Sequence, residues 1–478
     1  MVTLNEEGNG YCGIWYANQP LDSPYVYKYS GGLGTYCAKH SPFGIYAEEV
    51  NKTFFCFGGA SADFHTRDIA TPDDSGDVPD ALLHMVGCYD HDLGVVARPT
   101  VVLDKRTSDA HDNPVISMDN QGYIWLFSTS HGTSRPSYIH RSVEPYAVDA
   151  FELIEATRKT DSFSVPFDNF SYMQVRHLDG KGFAAFVTRY HEPVIRTAGY
   201  MTSPDGRLWS QWKPLAAIHE GHYQIGEITS DRSGTAFNYH PNRENSDERG
   251  LNSRTNLYYL QTVDSGSTWQ NIQGRTVDIP LTDPDNPAMV RDYQTEGLLV
   301  YMKDLQFDTA GRPVILYITS DGYEPGPEHE PRTWRTARWE GNEWIFNDIT
   351  TSDSNYDMGS LYIRDDGSWE VIAPTDRGPE PYNPGGEMVL WKTEDQGESW
   401  EKLKTLTSDS PRNHTYARRP INYHPDFCAL WADGDPREPS VSHLYFAGQD
   451  GSVYNLPPDM SVDWESPRQV DNLSNNGR

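Results

Sequence analysis

Basic residues are scarce in this 478-residue chain: 39 Lys+Arg stand against 69 Asp+Glu, a formal net charge of −30 at pH 7. That balance argues against a general nucleic-acid binder, which carries a basic footprint, and against a protein held to anionic membranes by its charge. Cysteine is sparse too. The five (Cys12, Cys37, Cys56, Cys88, Cys428) are scattered, odd in number and without a C-x-x-C pair, so a disulfide framework is not expected. No apolar run approaches the ~18 residues of a membrane-spanning helix, and no sustained amphipathic helix is visible. The start, Met1-Val2-Thr3-Leu4-Asn5-Glu6-Glu7, has no basic segment leading into an apolar one. No signal peptide is read there; a cytosolic protein and one whose leader has been removed are the two expectations.

Strand and turn formers are abundant: 29 Tyr, 13 Trp, 39 Gly and 33 Pro, with aromatics at 12%. Together with 23% charged residues, they exclude global disorder. Thr262-Val263-Asp264-Ser265-Gly266-Ser267-Thr268-Trp269 aligns with Thr393-Glu394-Asp395-Gln396-Gly397-Glu398-Ser399-Trp400, and both read T-x-D-x-G-x-[ST]-W. Ser203-Pro204-Asp205-Gly206-Arg207-Leu208-Trp209 is a shortened relative. Looser echoes are 119–125, Asp308 to Gly311, 365–369 and Asp450-Gly451. The physics predicts a tight turn in which Asp bonds the amides, Gly takes positive φ and Trp packs on the sheet beside it. These motifs resemble the Asp boxes, or BNR repeats, of sialidase-like β-propellers. A blade takes about 40–50 residues, so the resemblance implies an all-β, single-domain propeller of about seven blades over residues 1–478, with a Pro- and Ser-rich tail from about 457. The segments 242–252 and 326–332 read as polar loops rather than linkers.

Function in such a ring is expected in loops around the axis. His111 enters a hairpin and His131 leaves it twenty positions on, so both imidazoles can share one end of a blade. Further polar clusters carry Tyr172; Arg189 with Tyr190; His222; Tyr239; Arg254; and, in 413–428, His414, Arg418, Arg419, His424 and Cys428. Asn-Tyr-His-Pro occurs twice, at 238–241 and 422–425, and is read as a repeated blade feature.

These residue types suit elimination from a uronic-acid sugar. The carboxylate must be neutralised to acidify the C5 proton, a base must remove that proton, and an acid must protonate the departing O4. Arg fits the first task through its planar fork. His and Tyr fit the other two when their environment tunes them. The chain resembles the seven-bladed propeller polysaccharide lyases among BNR-repeat proteins, most closely ulvan lyases of polysaccharide lyase family 25, with the rhamnose–glucuronate lyases as a related group. The resemblance implies His111 and Tyr172 as the acid/base pair, His131 assisting at the carboxylate and Arg189 neutralising it. Tyr239, Arg254, His222 and Arg135 are the implied substrate contacts. Tyr172 stands a few positions closer to His131 than the family pattern has it, which a shortened loop explains, and Tyr190 is its rival.

The implied partner is an acidic polysaccharide or oligosaccharide, with no nucleic acid and no membrane, taken by a monomer that is secreted or periplasmic if it follows the family. No cofactor is required for the chemistry. A structural zinc or calcium ion is the one metal considered, with His414, His424 and Cys428 as candidate ligands. Arg135, Arg418 and Arg419 are candidates for sulfate. Four alternatives stay open: a rhamnose–glucuronate exo-lyase acting on arabinogalactan side chains; a sialidase-type hydrolase, whose Arg-Ile-Pro element is matched here only by Arg98-Pro99; a rhamnosidase-type propeller hydrolase; and a carbohydrate-binding propeller without catalysis. Their products separate them, because only a lyase forms an unsaturated uronate and product size tells endo from exo action.

Overall fold

The computed structural model describes residues 2–33, 39–60, 82–107, 109–242 and 250–470. Cys37 and most of the expected 242–252 loop lie outside the described residues. The expectation of an all-β chain is borne out: the helical segments among the described residues are four single 3-10 turns, as at Ala110–Asp112. Five four-stranded antiparallel sheets follow one another along the chain. Sheet I is Pro114–Met118, Ile124–Ser128, Tyr138–Ser142 and Phe151–Leu153. Sheet II is Ser171–Leu178, Gly182–Tyr190, Arg196–Ser203 and Lys213–Ala216. Sheet III is Gln224–Ile228, Ser233–Tyr239, Thr255–Thr262 and Met289–Arg291. Sheet IV is Leu299–Phe307, Pro313–Ser320, Arg332–Trp339 and Trp344–Ser352. Sheet V is Ser360–Ile363, Trp369–Asp376, Glu387–Thr393 and Glu401–Thr405.

The chain's two ends share a fourteen-stranded sheet. One half runs through Gly44–Ala47, Lys52–Gly59, Leu83–Asp90 and Thr100–Asp104. The other runs through Asn413–Arg418, Ala429–Gly434, Ser440–Ala447 and Val453–Asn455. Cys12–Pro20 joins them. It pairs with Ser440–Ala447 over four residues, from Cys12↔His443 to Trp15↔Ser440, and with the first half at Gly13↔Gly59.

Each sheet is apolar on both faces, so it is covered on both sides. Pro313–Ser320 (PVILYITS) is buried along its whole length. Sheets I and II enclose Val115, Phe127, Val175, Phe183 and Trp209. Sheets II and III enclose Phe186, Phe237, Tyr258 and Trp269. Sheet V meets the 413–455 half around Ile372, Leu390 and Trp431. That half meets the 44–104 half and sheet I around Phe55, Ile116, Phe427 and Phe446. Sheets III, IV and V share a cluster around Tyr259, Leu316 and Trp369, so packing passes from sheet to sheet and returns to its start.

The repeated motif does what its chemistry predicts. Asp264 accepts from the Thr268 amide (2.9 Å) and hydroxyl (2.7 Å), and Thr262 Oγ1 accepts from the Gly266 amide (2.9 Å). Asp395 and Thr393 repeat these contacts with Ser399 and Gly397. Gly206, Gly266 and Gly397 all take positive φ, and Trp209 and Trp269 are buried. These three boxes lie between the third and fourth strands of their sheets. Of the looser echoes, 119–125, 308–311 and 365–369 fall between first and second strands instead, so they are generic Asp-Gly turns. The two Asn-Tyr-His-Pro copies also differ in place. One ends the second strand of sheet III, and the other lies between Asn413–Arg418 and Ala429–Gly434. They are not a repeated feature.

Candidate active site

First strands begin, and second strands end, at one end of the sheets. Three successive sheets therefore bring His111, His131, Tyr172, Tyr190, Tyr223 and His240 to that end. The 3-10 turn at Ala110–Asp112 is capped by Asp109, whose carboxylate accepts from the His111 amide at 3.0 Å. The same carboxylate holds both imidazoles. His111 Nδ1 lies 2.5 Å from Oδ1 and His131 Nδ1 lies 3.0 Å from Oδ2. The two rings are stacked, with centroids 4.2 Å apart and planes 6° from parallel. Burial would raise the pKa of Asp109, but His111 and His131 overcome it and hold the carboxyl well below the usual range. With Nδ1 of each ring committed to Asp109, proton exchange with a ligand runs through Nε2.

Tyr172 sits in a β-bulge, where the pairing of Ser171–Leu178 with its neighbour slips between Ser171 and Gln174. Its φ is +50°, a left-handed conformation costing a bulky residue about 1–2 kcal/mol. The bulge re-aims the side chain, so that the Tyr172 hydroxyl lies 2.6 Å from that of Tyr190. The Tyr172 ring stands 6.0 Å from His111 and 5.6 Å from Tyr223, and Tyr190 meets His131 edge-on at 5.4 Å. Over this group lies Arg196, 5.5 Å from the Tyr190 ring and 5.8 Å from Tyr223. Burial opposes its charge, but Tyr223, Tyr190 and Tyr172 outweigh burial and hold the guanidinium well above its ordinary value. Arg254 lies 5.0 Å from both Tyr223 and Tyr301, with Nε donating to Leu251 O at 3.1 Å.

Of the expected site residues, the structure brings His111, His131, Tyr172 and Arg254 to one cluster. Arg189 is elsewhere. Its side chain is 1% exposed, and it forks onto Glu192 (2.8 and 2.9 Å) and the Asp168 carbonyl (2.6 Å), against Trp212. Neighbours on a strand face opposite sides, so Arg189 and Tyr190 cannot both reach the cluster. Arg135 closes the His pair from behind, forking onto Asp112 (2.7 and 2.9 Å) and reaching Asp109 at 2.8 Å. Its guanidinium is a clamp on those carboxylates. His222 is fully buried, its Nδ1 on Asn238 O at 2.7 Å and its Nε2 accepting the Ile218 amide at 2.9 Å. Backbone therefore holds both of its nitrogens. Tyr239 bonds Gln294 and packs on His219 and Tyr258. Arg419 pairs with Glu227 at 3.3 Å and Asp304 at 3.8 Å, while Arg418 lies over Phe43 and Tyr416.

The expected metal set does not assemble. His414 is buried, with Nδ1 taking the Trp431 indole N–H at 3.1 Å and Nε2 bonded to Ser410. Burial pushes the Cys428 thiol up to about 12, far from a ligating thiolate. His424 instead neighbours His91 and Asp426.

The sequence marks Asp109, Asp112 and Tyr223 as members of polar clusters but gives them no role, and it passes over Arg196. Arg196 carried one usable signal. It opens the strand after Tyr190 and is its cross-strand partner, so it presents its side chain to the same face.

The profile of the BNR repeat-containing family matches residues 97–352. An ulvan lyase of Nonlabens ulvanivorans is 22% identical over 376 residues, covering 73% of this chain and 76% of that one. An ulvan lyase of Alteromonas sp. (strain LOR) is 21% identical over 376 residues, covering 72% and 73%. Among solved structures, a PL25 ulvan lyase, known also bound to -[GlcA(1-4)Rha3S]-, superposes with a TM-score of 0.66 at 17% identity, over 88% of this chain and 94% of that one.

Proposed function

The chain belongs to the BNR repeat-containing family, and from that premise we propose that it is a polysaccharide lyase cleaving a 4-linked uronate, next to rhamnose as in ulvan, by β-elimination. The five sheets and the two halves of the fourteen-stranded sheet are then seven blades of one ring. Cys12–Pro20 is the strand that closes it, and the His–Tyr cluster lies at one mouth of its axis.

The observation that carries this reading is the hydroxyl pair of Tyr172 and Tyr190, set beneath Arg196 and beside two imidazoles on one carboxylate. In the proposed reaction His111 and Tyr172 are the acid/base pair, with Tyr190 coupled to Tyr172 through their hydroxyls. One member takes the C5 proton. The electron pair of that C–H bond forms the C4=C5 double bond, the C4–O bond breaks, and the departing oxygen takes a proton from the other member. No water is consumed. His131 assists at the uronate carboxylate. Neutralisation passes from Arg189 to Arg196, helped by Arg254, because these guanidinia lie over the tyrosines. Charge developing beside a fixed cation in a desolvated site is stabilised far more than in water. The local cations also offset the chain's overall repulsion of a polyanion, which salt screens beyond ~10 Å.

The test is a panel of uronate polysaccharides, including ulvan, followed by the ultraviolet absorbance of the unsaturated uronate and by product size. Cleavage without that absorbance makes the protein a hydrolase. Binding without cleavage makes it a lectin.

A further inference from the structure

The opposite ends of the strands carry a second cluster that the elimination does not use. His91 follows Leu83–Asp90, while His424 and Asp426 lie in the connection between Asn413–Arg418 and Ala429–Gly434. The His91 and His424 rings are 3.8 Å apart between centroids, tilted by 39°. One ligand atom from each of His91, His424 and Asp426 lies within 4.8 Å of the others.

The protonation pattern suits a metal. His91 Nε2 bonds Thr53 Oγ1 at 2.8 Å, while its Nδ1 is buried with no hydrogen-bond partner among the described residues. A ring that gives its N–H to a hydroxyl turns an unshared pair outward from the other nitrogen, the arrangement that orients a ligating histidine. A buried polar nitrogen with nothing to bond is costly and calls for an explanation. With the three ligand atoms within 4.8 Å of one another, small side-chain shifts bring both imidazoles to the ~2 Å distance of a divalent ion. The loop is already held in place: Ile421 donates to Gly44 O and Tyr46 to Ile421 O, both at 2.9 Å. Tyr46 packs on both rings, at 5.5 Å from His91 and 5.1 Å from His424.

We propose that His91, His424 and Asp426 bind a divalent transition-metal ion of the zinc type, with water completing the coordination. Two imidazoles and one carboxylate favour such an ion over calcium or magnesium, which prefer all-oxygen cages. The first ligand comes from the 44–104 half of the shared sheet and the other two from the 413–455 half. The ion therefore clasps the two ends of the chain, and its role is structural.

The full chain is stripped with chelator, dialysed against micromolar zinc and assayed for bound metal and thermal midpoint. Zinc should be retained at one ion per chain and should raise the midpoint. His91→Ala and His424→Ala should each weaken binding at least tenfold and remove the thermal response. Asp426→Asn, a change at an exposed side chain, guards against misfolding and should weaken binding while leaving the apo midpoint in place. The Asp109–His111–His131 group also offers three ligand atoms, so His131→Asn is the control and should keep its zinc. The proposal is overturned if no zinc is retained, if binding survives both His91→Ala and His424→Ala, or if His131→Asn alone abolishes it.

Discussion

His111 and His131 hang by the same nitrogen from opposite oxygens of Asp109, with their rings stacked at 4.2 Å. One carboxylate thus sets the orientation of both imidazoles, and Arg135, itself anchored on Asp112, holds that carboxylate in turn. Asp109→Asn keeps the shape but removes the charge that fixes both rings. The expected result is a fall in kcat of about 10²-fold or more with an unchanged circular-dichroism spectrum. A variant that turns over at the wild-type rate would show that the pair needs no common anchor.

Tyr172→Phe removes one hydroxyl of the 2.6 Å pair and leaves the buried ring in place. Loss of an acid/base group should lower kcat by about 10²–10⁴-fold. Tyr190→Phe is the companion. If it alone abolishes the absorbance rise, the proton passes through Tyr190 and Tyr172 only supports it.

Arg196→Ala and Arg189→Ala should fail in different ways. Removing Arg196 takes the cation from above the tyrosines and should cost about 3–4 kcal/mol of transition-state stabilisation, read as a fall in kcat/KM at near-normal thermal stability. Removing Arg189 leaves Glu192, 41% exposed in the turn after Gly182–Tyr190, without its fork. That should cost about 1–2 kcal/mol of folding stability, with a lower melting temperature and residual kcat. Kinetics showing the reverse would return the neutralising role to Arg189.

His222 gives a pH signature. Burial pushes its pKa down to about 4, against about 6.5 in an unfolded chain. As pH falls from about 6.5 to 4, the unfolded chain takes a proton that the folded chain refuses. The stability present above the unfolded pKa is then lost, by about 3 kcal/mol. His222→Gln lacks this limb, so its stability deficit against wild type in urea should shrink as pH falls. A deficit that stays constant with pH would refute the assignment.

Gly266→Ala tests the turn chemistry alone. At φ +83° its new Cβ would lie 2.7 Å from the Tyr200 ring. The cost should be about 1–3 kcal/mol of stability, seen as a lower melting temperature, with kcat unchanged because the box lies at the far end of the strands.

Much of this protein is written locally. The Asp boxes need only the eight residues of each motif, because Asp264 and Asp395 close their turns on near neighbours. Alternation along Gly182–Tyr190 likewise decides that adjacent residues part company. The twenty-residue spacing of His111 and His131 spans one hairpin, so their meeting was legible before any coordinates. Which arginine stands over the tyrosines was not. Arg196 reaches Tyr223 through the contact between sheets II and III, and the Tyr172 side chain is aimed by a bulge that no spacing reveals. The partners of His424 were hidden for the same reason, since His91 comes to it only when the two ends of the chain share a sheet. Turn chemistry and strand period act over a few residues and belong to the sequence. Side-chain meetings between sheets depend on how whole sheets stack and close, and only the tertiary structure decided them.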